Sequence, residues 1–376
     1  MVLFASTYSI ASPMSLFDLE IADWQKLLTD EPPFRSKQIW KAIHEHALRP
    51  DQLTSLPKRL RTTLASSADT ASAFTLVRLT SDDRQLTEKA LFQLNDGRVI
   101  ETVLMHYHDR STVCISSQAG CAMNCSFCAT GQQGFFRHLT VGEIVEQVIW
   151  AIDRTRITRG EKRLSNIVFM GMGEPLANTR SVFRALERIN TDIGIGARHI
   201  TVSTVGIIPG IRLFTDLGPQ FNLAVSLHAA NNDKRTTLVP INAKYPIETL
   251  METLQDYVQK TRRRISFEWA MMDGVNDTEQ DAKELIPLCI PLEAHVNLIP
   301  LNPTSGWPSK GSGRPRVESF ADTLADAGIA VSIRDNRGTN IDAACGQLAG
   351  LVAGKNLGER YSQDISAKMD IGALLD

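Results

Sequence analysis

Neither sign of charge dominates this chain. Its 40 Lys and Arg stand against 42 Asp and Glu for a formal charge of −2, which excludes a histone-like polycation and an acidic disordered tail. Basic residues are missing from the start altogether. The first is Lys26, and the opening MVLFASTYSIASPMS has neither the basic region nor the apolar run of a secretory leader or membrane span. A cytoplasmic protein with no membrane partner is expected. Cysteine is scarce too, and six in 376 residues make no disulfide scaffold. Internal repeats and low-complexity tracts are absent. What is present, 43% apolar and 22% charged residues with ordinary Gly and Pro usage, suffices for one large domain and a smaller one.

After an opening segment, 1–18, expected to be flexible, the apolar residues of LEIADWQKLL, SKQIWKAIHEHAL and LPKRLRTTLASSA recur at helical spacing. Residues 19–70 are therefore expected as a small helical domain. In 71–117 the runs FTLVRL, KALFQL, RVIETVLM and STVCISS are separated by the turn signals SDD, NDG and HDR, which predicts an extension of antiparallel strands. Over 118–345, strand-like NIVFMGMG, HITVST, FNLAVSLH, ISFEWAMM and HVNLIPL alternate with helical stretches such as TVGEIVEQVIWAI and SVFRALERI. That alternation means an α/β fold with a parallel sheet, open or closed into a complete or partial barrel. Residues 346–376 are left as a C-terminal helix and tail. The carboxyl edge of such a sheet is the expected active-site face, and Gly173, Glu174, Ser203, Ser226, His228 and Asn302 fall at the ends of these runs. The loop TSGWPSKGSGRPR is expected to be mobile.

Four cysteines crowd together: Cys114, Cys121, Cys125 and Cys128; Cys289 and Cys345 stand apart. In GCAMNCSFCATGQQGF, three residues and then two separate Cys121, Cys125 and Cys128, so three thiolates on one loop can converge on one metal centre. Structural zinc takes four protein ligands and would need an outsider such as His138. A four-iron cluster on three cysteines instead leaves one iron open to an exogenous chelator.

The spacing CxxxCxxC, with Phe127 before the last cysteine, resembles that of radical S-adenosylmethionine (SAM) enzymes, and GMGEP at Gly171 to Pro175 resembles the turn that meets the amino group of SAM. The likeness narrows along the chain. SSQAGCAMNCSFCATGQQGF, FMGMGEPLAN, STVG, LAVSLHAANND, NLIPLNP and IDAACGQLAG resemble the RlmN family of adenine-C2 methyltransferases of 23S ribosomal RNA and transfer RNA, across roughly residues 19–355.

The resemblance implies a partial (β/α)6 barrel of the radical SAM type, with the helical domain as an RNA-binding accessory. It implies one 4Fe-4S cluster on Cys121, Cys125 and Cys128, with SAM on the open iron, contacts from Gly173, Glu174, Ser203, Ser226, His228 and Asn302, and two SAM per turnover. Carbon 2 of adenine is electron-poor and cannot attack the SAM methyl as an amine would. By resemblance, Cys345 takes a methyl group as a thiolate nucleophile, a deoxyadenosyl radical abstracts hydrogen from it, and the methylene radical adds to carbon 2. Cys114 then resolves the protein–RNA crosslink as a disulfide, Glu101 matches the proposed proton acceptor, and either of the two could remove the proton from carbon 2. Partners implied are 23S rRNA, tRNA and an electron donor such as flavodoxin, acting on a monomer. The relative Cfr would methylate carbon 8 with the same machinery; a non-catalytic, zinc-containing RNA-binding protein is the alternative from another class.

Each residue also has an ordinary reading. Free cysteines are among the most buried side chains, so Cys345 in AACG, Cys114 in STVCISS and Cys289 in IPLCIP each fit a structural role, and no motif lifts Cys289 out of it. Glu101 in an alternating strand is expected to face solvent. His228 fits a strand cap, and His44, His46, His106 and His108 match nothing. Basic runs at Lys58–Arg61, Arg154–Arg163, Lys260–Arg264 and Lys310–Arg316 would form an RNA footprint only where they converge. One departure from the family pattern is Thr339 and Asn340, where many members are acidic.

Overall fold

The computed structural model describes residues 15–348, apart from 161, 219, 303, 305, 335–337, 339, 340 and 345. The helical part comes first: α1 (Ile21–Leu27), α2 (Phe34–His44) and α3 (Lys58–Ser66). Prolines precede the second and third, where a missing N–H costs nothing, and a reciprocal Glu20–Asp23 cap opens the first. Trp24, Ile39 and Ile43 fill its core.

This part is bonded firmly to the body. Glu146, fully buried, accepts from Arg49, from the Ser72 hydroxyl and from the Ala73 N–H at 2.7 Å. Residues 15–18, counted with the flexible segment in the sequence reading, are packed: Leu16 and Phe17 are buried, and Asp18 accepts from the Gly142 N–H at 2.7 Å.

Then follow β1 (Phe74–Ser81), β2 (Thr87–Leu94), β3 (Val99–His106) and β4 (Ser111–Cys114), each antiparallel to the one before. A two-stranded sheet of β5 (Gln118–Gly120) and β6 (Phe135–His138) flanks the cysteine loop and the short α4 (Ala129–Gln132).

The α/β part runs α5 (Val141–Arg159), β7 (Leu164–Phe169), α6 (Thr179–Thr191), β8 (Ile200–Thr204), α7 (Ile208–Thr215), β9 (Asn222–Ser226), α8 (Asn232–Leu238), α9 (Ile247–Thr261), β10 (Ser266–Met271), α10 (Glu279–Cys289), β11 (His295–Pro300), α11 (Arg314–Asp326) and β12 (Ala330–Ile333). All strands but β5 and β6 join one ten-stranded sheet in the order β1-β2-β3-β4-β7-β8-β9-β10-β11-β12. From β4 onward every pairing is parallel.

The α/β reading with a large parallel sheet holds, with two refinements. STVC, expected as the last antiparallel strand, is also the first parallel one, because β4 pairs antiparallel with β3 and parallel with β7. A seventh parallel strand, β12, follows α11; at four residues, mostly exposed, it is too short to show in the alternation. Among the described residues the order ends at β12 with no pairing back to β4, so the ring is open. The loop after β11 is pinned where described: the Thr304 hydroxyl donates to the Phe127 carbonyl at 3.3 Å, and the Ser312 hydroxyl to Asp277 at 2.8 Å. Among the described residues no helix is long and apolar enough to cross a membrane.

Candidate active site at the carboxyl edge of the sheet

Cys121 directly follows β5, and Cys125 and Cys128 lie on the turn into α4. Backbone bonds fix the loop: Cys121 N–H to the Gly134 carbonyl at 2.8 Å, and Cys128 N–H to that of Cys125 at 3.1 Å. A Cβ on Gly131 would stand 3.0 Å from the Cys125 nitrogen, so glycine lets the helix close over the loop without pushing it aside. Burial, and the neighbouring thiols, push Cys121 and Cys125 well above the usual thiol range. Three thiols close enough to raise one another's pKa, on one rigid loop, are the donor set a positive centre would stabilise as thiolates. Among the described residues no three Cys, His, Asp or Glu side chains converge on a single ion. His138, the outsider a zinc site would need, instead packs on Phe135 and meets Gln118 at 3.0 Å.

Beside the loop, at the carboxyl ends of the strands, opens a cavity. Cys125 and Cys128 border it on one side. The six residues expected to meet SAM border the rest: Gly173 and Glu174 after β7, Ser203 in β8, Ser226 and His228 from β9, and Asn302 after β11. Gly173 has φ +98°, and a Cβ there would lie 2.4 Å from that of Gln118. Buried Glu174 accepts the N–H groups of Leu176 and Val205, both at 2.9 Å, and burial raises its carboxyl to about 7. The Ser203 and Ser226 hydroxyls are 3.4 Å apart.

His228 is more than a strand cap. It holds a left-handed φ of +60°, and its Nδ1 accepts the Ala270 N–H at 3.0 Å, so the neutral ring carries its proton on Nε2. Burial, with Arg235 nearby, lowers its pKa to about 3. The Phe127 ring meets it edge-on at 4.8 Å. Asn276 fixes its backbone, donating to the carbonyls of His228 and Ala270.

Sequence reasoning missed Glu268, Asn276 and Arg235. Glu268 is buried in β10, borders the cavity, and accepts from the Asn297 amide at 2.7 Å. A lone carboxylate inside the apolar run SFEWAMM was the available signal.

Cys114 is buried at the end of β4, in register between Val103 and Val168. Glu101 does not face solvent as its strand pattern suggested: it is 3% exposed and pairs with Lys89 at 3.2 Å. Lys89 in turn donates to the Asp342 carbonyl at 3.0 Å. Cys345 lies outside the described residues, but its loop does not: Gly346 borders the cavity and accepts the Ala129 N–H at 2.8 Å. Neither Cys114 nor Glu101 borders the cavity itself. Cys289 is buried at the end of α10, where burial pushes its thiol up to about 12.

The basic runs do not form one rim. Arg154 is forked onto Glu88 and Arg159 donates to the Gln85 carbonyl, so that run is spent on the antiparallel strands. Lys260–Arg264 lies at the amino end of β10, the opposite edge of the sheet.

A parallel sheet whose carboxyl edge carries a three-cysteine loop beside a largely apolar cavity with a few convergent polar groups is the arrangement of the radical SAM class, and residues 115–286 match the Radical SAM superfamily. The chain is 45% identical to the "Probable dual-specificity RNA methyltransferase RlmN" of Chloroflexus aurantiacus, over 89% of this chain and 92% of that one. It is 42% identical to the protein of that name in Roseiflexus castenholzii, over 90% and 96%. A solved structure of a radical SAM methyltransferase from Sphaerobacter thermophilus superposes with TM-score 0.86 at 44% identity, covering 90% of this chain and all of that one. The chain belongs to the RlmN family of radical SAM RNA methyltransferases.

Proposed function

We propose that the chain methylates carbon 2 of adenosine in 23S rRNA, in the peptidyl-transferase region, and in tRNA next to the anticodon. The observation that carries this reading is the cavity that joins two cluster cysteines, all six expected SAM contacts and the loop of Cys345. Cys121, Cys125 and Cys128 would hold a 4Fe-4S cluster, which with SAM on its open iron supplies a 5′-deoxyadenosyl radical.

The chain's own residues do the rest. Glu174, tied at both oxygens, offers a fixed carboxylate to the ammonium group of SAM; an arriving cation favours its charged form. The Nε2–H of His228 and the two serine hydroxyls supply donors for the ligand, and Phe127 keeps water from the imidazole. Cys345 takes a methyl group as a thiolate and carries it to the base, forming a covalent link between protein and RNA. Glu101, held by Lys89, accepts the proton from carbon 2. The adduct radical gives up one electron, which a bound cluster would accept, and attack by Cys114 on the Cys345 sulfur breaks its bond to the methylene carbon; protonation of that carbon leaves the methylated base and a disulfide. A base must leave its stack to enter such a site. Two SAM are used per turnover, an electron donor such as flavodoxin supplies the reductant, the helical domain 19–70 assists RNA binding, and the protein acts as a cytoplasmic monomer.

The test is mass spectrometry of nucleosides from RNA incubated anaerobically with reconstituted protein, reductant and SAM. The expected product is 2-methyladenosine. If 8-methyladenosine formed instead, only the target carbon would change; a colourless, iron-free protein after reconstitution would overturn the reading.

A further inference from the structure

A second cavity opens at the other end of the same strands. Asn222, Ser266 and His295, which help line it, are the first residues of β9, β10 and β11. It is separate from the SAM cavity, with Met170 and Glu268 bordering both. We propose that this amino-end cavity is a second binding site, one that takes a phosphate group.

The charge argues for an anion. Arg262, Arg263, Arg264 and Arg334 line the cavity against one carboxylate, Glu268. Of the run Lys260–Arg264, only Lys260 forms an ion pair among the described residues, with Asp216 at 3.5 Å. Arg263 reaches into the lining through the Asn222 side chain, and its Nε is buried without a hydrogen-bond partner. Arg262 caps α9 with φ +55°, a conformation that Gly or Asn adopts more cheaply, and its exposed side chain borders the cavity. Three consecutive arginines and Arg334 facing a single carboxylate leave an excess of positive charge that an anion would balance.

The chemistry selects phosphate. Guanidinium forks match its oxygens two at a time. The neutral lining adds one further group that can donate, the ring of His295, whose Nδ1 lies 3.3 Å from the Ser266 hydroxyl; that hydroxyl itself donates to Glu268 at 3.1 Å. The ring stays neutral because burial and Arg264 lower its pKa. The phosphate comes either from a free phosphate compound or from an RNA backbone passing the mouth. The site does not rest on the methyltransferase reading, since no residue at its mouth takes part in that chemistry.

The test compares reconstituted wild-type protein with the double variant Arg262→Gln, Arg264→Gln, both exposed positions, using melting temperature and SAM affinity as controls for folding. Inorganic phosphate is titrated by calorimetry, and tRNA affinity is measured by filter binding across a range of salt. The expected result is that the variant loses at least tenfold in affinity for phosphate. If RNA is the source, tRNA affinity falls as well, and the slope of log K against log salt shrinks by about 1 to 2. If a free compound is the source, the slope is unchanged while phosphate binding is lost. Both results support the site. Equal behaviour of the two proteins in both titrations overturns it.

Discussion

The backbone N–H of Ala129, the residue after the last cysteine of the metal loop, donates to the carbonyl of Gly346, the residue after Cys345, at 2.8 Å. One residue further along, the Thr130 hydroxyl donates to the Leu348 carbonyl at 2.6 Å, across 218 residues of sequence. The segment beside Cys345, the cysteine proposed to carry the methyl group, is thus held by the three-cysteine loop proposed to hold the cluster.

Removing that hydroxyl should separate the two functions. Thr130→Val leaves a buried carbonyl unsatisfied at a cost of about 1–3 kcal/mol, borne by the C-terminal loop. Iron content and SAM cleavage should match wild type while RNA methylation falls at least tenfold. Equal losses in SAM cleavage and methylation would mean the bond supports the cluster instead.

The crosslink chemistry makes a sharper prediction. Cys114→Ala should accumulate protein covalently attached to RNA, and Cys345→Ala should give neither adduct nor product. Glu101→Gln should slow product formation, with the adduct as its last species. Denaturing gels with labelled RNA read all three, and normal product yield from the Cys114 variant would remove its role.

Gly173 is a steric test of the SAM turn. Alanine there needs φ +98° and puts a Cβ 2.4 Å from that of Gln118. Gly173→Ala should cost about 3 kcal/mol in strain and overpacking and weaken SAM binding at least tenfold. Calorimetry on the reconstituted protein measures the affinity.

Glu146 docks the helical domain. Glu146→Ala leaves the Ala73 N–H and the Ser72 hydroxyl without their acceptor and Arg49 without its carboxylate. Stability should fall by about 3 kcal/mol, read as a lower urea midpoint at unchanged m-value. Gain of a second transition would show that the helices detach on their own.

His44 makes stability pH-dependent. Burial lowers its pKa from 6.5 to about 4, while Nδ1 meets the Trp40 carbonyl at 3.0 Å. The unfolded chain therefore binds the proton first as pH falls, and stability drops between about pH 6.5 and 4, by roughly 2 kcal/mol at pH 5. His228 titrates with the same sign, so the measurement is the difference between proteins: His44→Gln should lose less stability than wild type between pH 7.5 and pH 5. Parallel curves would assign the slope to other groups.

The sequence by itself determined what is local. Cys121, Cys125 and Cys128 fall within eight residues, so their spacing alone shows that they share a loop. The strand runs announced the parallel sheet, and a parallel sheet brings its carboxyl ends to one edge; that is why Gly173, Glu174, Ser203, Ser226, His228 and Asn302 could be gathered before any coordinates. Tertiary structure decided whatever depends on which distant segments meet. Lys89, paired with Glu101, also bonds a carbonyl 253 residues further along from itself, a contact no periodicity encodes. The burial of Glu268 follows from its place in a central strand, not from its neighbours in sequence. The run KTRRR reads as surface charge in the sequence; β10 carries it to the edge opposite the cysteines, because a parallel strand's first and last residues lie at opposite ends of the sheet.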